Sequence, residues 1–245
     1  MTIFLSFIFA IGFAIIHLSS KSMNFIKESP RSKFLSFAGG VAVSYVFLHL
    51  LPELDHYQES VGHTLNNGAG KYLENHIYAV AMLGLALFYG LERLVKNSKK
   101  KQSGNSEEAA ASIGVFWIHI TSFFFYNSVI GYLLIRDEYE THWGMFFFFT
   151  ALSIHFIAND RGLRKDHKHI YDKYGRVLLA VAPVLGWGIG VITEVHELII
   201  SVLVALLVGA ITFNVLKEEL PEERESSFTA FISGLAVYSV LMMLI

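Results

Sequence analysis

Long apolar runs separated by short polar breaks dominate this chain. Eight such runs can be drawn, at residues 2–18, 34–53, 76–96, 114–136, 142–160, 176–193, 196–216 and 227–245. Most approach the ~20 mostly apolar residues that a helix needs to cross a bilayer. The expectation is an all-α polytopic membrane protein, one transmembrane domain of eight transmembrane helices. The longest polar break, NSKKKQSGNSEEAAASI at 97–113, reads as a flexible cytoplasmic linker.

Composition supports the bilayer as the main solvent. Of the 245 residues, 53% are hydrophobic and 16% charged, with a mean hydropathy of +0.48. Soluble domains carry about 25% charged residues. There is no cysteine, which excludes disulfides and thiolate metal sites. The first run has no positive residue before it and Lys21 just after it, so a retained anchor is expected over a cleaved signal peptide.

Charge orients the helices. Sorted between the alternating loops, 17 of the 19 Lys and Arg residues fall on one side, leaving Lys71 and Arg136 on the other. Lys/Arg-rich loops are cytoplasmic, which places both termini outside, in a plasma membrane. The basic stretch 160–176, DRGLRKDHKHIYDKYGR, then faces the cytoplasm. It reads either as an anchor on anionic lipid or, through Asp160, His167 and His169, as an exit that collects a cation.

Ionisable groups at membrane depth are costly and mark candidate sites. In GVFWIHITSFFFYNSVIGYLL, His119, Ser122 and Tyr126 fall at i, i+3 and i+7, one helical face, with Asn127 beside it. In HFIAND, His155 and Asn159 are one turn apart. His119 and His155 each lie about five residues from the cytoplasmic ends of their runs, so the two imidazoles are expected to meet. Two readings stay open for this set: hydrogen-bonding glue between helices, or a transition-metal site built on imidazole. The set holds no central carboxylate, which leaves a divalent charge poorly compensated.

A second polar set, His49, Glu53, Asp55 and His56, lies toward the outer end of the second run. His49 and Glu53 are one turn apart and are candidates for an entrance. Pro52 is expected to bend or end the helix there. Glu194, His196 and Glu197 in the next outer turn read as solvated loop residues.

From HLLPEL onward the chain resembles the ZIP family of divalent-metal transporters. GGVAVSYVFLHLLPEL is similar to that family's second helix, RVLLAVAPVLGWGIG to its sixth, and LIISVLVALLVGAITFNVLKEELPEE to its seventh. The metal motifs depart from the family pattern. With Gly131 in register, Ser122 stands at the family's helix-four His, Phe123 at the Asn, Tyr126 at the Asp and Asn127 at the Gly. In helix five His155 is kept, Phe156 replaces a Glu, Asn159 stands near a second acidic position, and the proline is missing.

The resemblance implies a ZIP-like bundle and a homodimer in membrane lipid. A divalent metal, zinc first, passes as cargo toward the cytoplasm between two helix groups. His155 and His119 are then ligands, and Asn159, Ser122, Tyr126 and Asn127 supply oxygen. No permanently bound cofactor, no enzymatic activity and no nucleic-acid partner are expected. The alternative keeps the fold without transport, as a metal sensor or partner-binding membrane protein. An intramembrane zinc hydrolase would need about three strong ligands and a nearby acid or base, which this set does not supply.

Overall fold

The computed structural model describes residues 2–22, 33–64, 76–103, 110–136, 142–219 and 227–243, without the side chains of 59–64, 103, 218 and 219. Nine α-helices are formed there: α1 Thr2–Ser19, α2 Lys33–Tyr45, α3 Leu51–Thr64, α4 Ile77–Ser103, α5 Ile113–Arg136, α6 His142–Ile170, α7 Arg176–Ile192, α8 Glu197–Glu219 and α9 Phe228–Met243. No strand occurs among the described residues. Six helical stretches are long and apolar enough to cross a membrane, and α9 is a shorter apolar helix. Large apolar side chains such as Phe4, Met82, Phe125, Trp143 and Ile192 are exposed all round the bundle. This is the build of a multi-pass membrane protein, in which lipid covers such surfaces and helices satisfy their own backbone groups.

Two junctions keep neighbouring helices continuous. A π-helical turn, Val46–Leu50, joins α2 to α3, with the Leu51 amide donating to the Val46 carbonyl. The helix was expected to bend or end near Pro52. It continues to Thr64 instead, and the π turn lies just ahead of the residue that lacks an amide hydrogen. A second π turn, Tyr171–Gly175, leads from α6 to α7. The 51-residue run His142–Ile192 breaks direction at Lys168, whose φ of 48° is rare for a residue with a side chain. The linker expectation is corrected at its start: α4 runs to Ser103, so 97–103 are helical, while 104–109 lie outside the described residues. Lys71 and the last two residues of the eighth run also lie outside them.

The helices pack as two groups. One contains α1, α5, α6 and α7; the other contains α2, α3, α4, α8 and α9. Contacts between the groups run mainly through α2 on α6 and α4 on α5. Within the groups, three pairs run parallel and approach through reciprocal glycines. A methyl group built on Gly131 meets the Pro183 carbonyl, and one on Gly186 meets Ser128; these join α5 to α7. Gly40 and Gly234 do the same for α2 and α9, against Phe231 and Phe37, and Gly84 and Gly209 for α4 and α8, against Leu206 and Ala81. Apolar burial gives little drive between helices in lipid, so small residues that admit close backbone packing carry much of the association.

The side-chain contacts also give the helix directions. Along α1, Phe9, Phe13 and His17 meet Phe149, Phe156 and Asp160 in the same order, so α1 and α6 are parallel. Leu18 lies by Arg176 and Ser6 by Trp187, so α7 runs the other way. α6 and α7, consecutive in the chain, therefore run in opposite directions.

Candidate functional site

The centre of the candidate site is one nitrogen. His155 Nε2 receives the Tyr126 hydroxyl at 2.5 Å and the Asn159 amide Nδ2 at 2.9 Å. The i, i+4 spacing on α6 brings Asn159 onto the His155 face, and α5 delivers Tyr126 from the neighbouring helix. All three side chains are buried. Two donors on one ring nitrogen make that nitrogen the acceptor, so the imidazole carries its proton on Nδ1. Asn214, on α8 of the other group, lies close to Tyr126. Its Nδ2 is buried without a partner.

His155 and Asn214 line a small pocket with Ala38, Gly39 and Ala42 of α2, Ile154 and Ala158 of α6, and Val215. It has room for about one water molecule. Its walls come from both helix groups, so the polar cluster lies at their boundary. The small residues of α2 leave the space, and His155 of α6 supplies its chemistry. This is the link from sequence to site: alanine and glycine where a second helix would otherwise fill the gap.

The expected partner of His155 is corrected. His119 does not pair with His155; its Nδ1 lies 2.9 Å from His167 Nε2, and both rings are buried. The two contacts lie along the same antiparallel α5–α6 interface. Seven residues separate His119 from Tyr126, about 10 Å of helix. The cause is the length of α6, which continues to Ile170 and so offers His167 at the depth of His119. Ser122 is corrected too: it is half-buried, and its hydroxyl donates to the Ile118 carbonyl in its own helix. Asn127 is buried; its Nδ2 donates to the Phe123 carbonyl of its own helix, and its Oδ1 is buried without a partner. His169 is exposed.

Asp160, placed by the sequence at a cytoplasmic exit, is also corrected. It is 1% exposed, receives the Tyr171 hydroxyl at 2.6 Å, and lies 2.9 Å from His17 Nδ1. His17 and Tyr171 escaped the sequence reading. So did Asn214. The one available signal was a lone polar residue inside an apolar run, at IIHLS and TFNVL.

Where α2 passes into α3, His49 and Glu53 are 3.6 Å apart, and His49 packs on the Tyr45 ring at 5.1 Å. His49 belongs to the π turn, a distortion common near functional sites. The turn after α7 is tied by Arg136, which donates to the Gly190 carbonyl at 2.6 Å and pairs with Glu194. On the basic side, Lys99 pairs with Asp166, Lys217 with Glu92, and Arg164 with Asp172. Among the described residues, no group of three or more His, Asp or Glu side chains is arranged to hold a metal ion.

The chain matches no protein-family model and no curated protein sequence.

Proposed function

We propose that the chain is a ZIP-like transporter that moves a divalent transition metal, zinc first, toward the cytoplasm along the boundary between its two helix groups. The observation that carries this reading is the pocket where His155 and Asn214 meet across that boundary. Counting α9 as a span and the bend at Lys168 as a turn gives eight crossings. The parallel course of α1 and α6 and the reversed course of α7 fit that count, and the basic loops support external termini. Homodimer formation and the plasma membrane belong to the same proposal.

The chemistry follows from the donors present. The His155 Nε2 lone pair, now shared by two donors, is the one strong nitrogen ligand at the boundary. The phenol and amide oxygens of Tyr126, Asn159 and Asn214 complete a neutral set. Without a carboxylate, such a set binds a divalent ion weakly and releases it readily. Conduction needs that balance, since binding must permit both entry and escape. His49 and Glu53 would receive the ion at the outer side.

A second reading is favoured by a specific observation: Nε2 is already satisfied internally, and among the described residues no three-ligand group surrounds it. In that reading the bundle is a non-transporting sensor or partner-binding protein. A cross-link separates the two. A cysteine pair at Ala42 and Ala158 joins the groups across the pocket. In the transport reading oxidation stops zinc flux into liposomes and reduction restores it. Flux indifferent to the cross-link would overturn the boundary pathway.

A further inference from the structure

The transport reading assigns no ligand to the basic stretch 160–176, yet the fold gives that stretch a definite outward face. Six Lys and Arg residues stand there against three Asp. The acids are turned inward: Asp160 is buried with His17 and Tyr171, Asp166 pairs with Lys99, and Asp172 pairs with Arg164. Lys165, Lys168 and Lys173 are exposed. The face that meets the surroundings is therefore positive.

Aromatic and apolar groups continue from it. Lys173 Nζ lies 4.9 Å over the Tyr174 ring, and that ring lies 6.2 Å from Trp117, near the start of α5. Both rings are exposed. Trp and Tyr favour the depth at which headgroups meet acyl chains. Along α7, the exposed Val177, Val181 and Leu185 then repeat at i, i+4 on one helical face. The reciprocal glycines Gly131 and Gly186 hold α5 and α7 together, so the rings and the stripe belong to one fixed helix pair.

We propose that this face binds one anionic phospholipid, its headgroup on Lys173 beside the Trp117 and Tyr174 rings and one acyl chain along Val177, Val181 and Leu185. Cation, ring pair and apolar stripe follow one another in the order in which a phospholipid presents phosphate, glycerol and chain. The outward lysines select a headgroup of net negative charge. A zwitterionic headgroup brings its own cation against them. The stripe selects a lipid over a free phosphate, which has nothing to place there.

The inference rests on the membrane build of the bundle and is independent of metal passage. Replacing Trp143 and Trp187 by Phe leaves Trp117 as the single tryptophan of the full chain. That protein is placed in phosphatidylcholine nanodiscs. About one lipid in ten is exchanged for phosphatidylglycerol or phosphatidylcholine with brominated chains, which quench tryptophan on contact. Brominated phosphatidylglycerol should quench Trp117 at least twice as strongly as brominated phosphatidylcholine. Lys173→Gln should remove most of that excess, whereas Lys101→Gln, away from the rings, should leave it. Soluble glycerophosphate should not displace the lipid. Native mass spectrometry of the unsubstituted chain, offered both lipids equally, should show phosphatidylglycerol adducts that Lys173→Gln depletes. Equal quenching by the two lipids in folded protein, an excess that Lys173→Gln does not reduce, or one that glycerophosphate abolishes overturns the proposal.

Discussion

The Tyr126 hydroxyl and the Asn159 amide converge on a single nitrogen of His155, at 2.5 and 2.9 Å. Converging donors leave no room for a third partner, so any cation reaching Nε2 must displace one of them. Binding is therefore a competition with an internal hydrogen bond, worth about 1 kcal/mol net. Asn159→Asp replaces the competing donor with a carboxylate. Zinc affinity of the purified protein, measured by calorimetry, is expected to rise tenfold or more.

The reciprocal glycines make a second expectation. At Gly186 an added methyl meets the Ser128 backbone carbonyl, whereas at Gly188 it meets open space. Gly186→Ala should cost about 1–3 kcal/mol through forced separation of α5 and α7. Gly188→Ala should be near neutral. Thermal unfolding of the two variants in detergent compares them directly. Equal melting temperatures would refute the close approach.

His119 and His167 form a pair of their own, so His119 is a structural group in this account. Removing either partner leaves the other ring buried with an unmet hydrogen bond, at a cost of about 1–3 kcal/mol. His167→Ala should lower the melting temperature while leaving zinc affinity at His155 unchanged. A loss of zinc binding in folded His167→Ala would return His119 and His167 to the metal site.

The side of each turn can be read by labelling, because the natural chain has no cysteine. Lys100 and Thr193 are both exposed and lie at opposite ends of the bundle in the proposed topology. In intact cells, Thr193→Cys should react with an impermeant maleimide and Lys100→Cys should not. The reverse pattern would invert the orientation.

Much of this site was legible in the sequence, and the failures have physical causes. His155, Asn159 and Tyr126 follow from i, i+4 spacing and the antiparallel order of neighbouring runs. His49 and Glu53 follow from the same spacing. The His119 and Asp160 errors share one source, a helix end drawn at residue 160. Hydropathy finds where a helix leaves the apolar zone, and α6 continues ten residues further. That extension brings His167 to His119 and lets the Tyr171 turn cover Asp160. Ser122 shares the Tyr126 face only broadly, and its hydroxyl bonds its own backbone. His17 and Asn214 depend on which helices pack together, which periodicity within one run does not encode.

The central claim is a metal path at the helix-group boundary, and zinc uptake by liposomes carrying the purified protein tests it most directly. Cadmium, manganese and iron serve as comparisons, with His155→Ala as the paired variant. The account predicts protein-dependent zinc entry that falls at least tenfold in His155→Ala while the variant stays folded. No zinc entry through folded wild-type protein, or entry unaffected by the substitution, would contradict it.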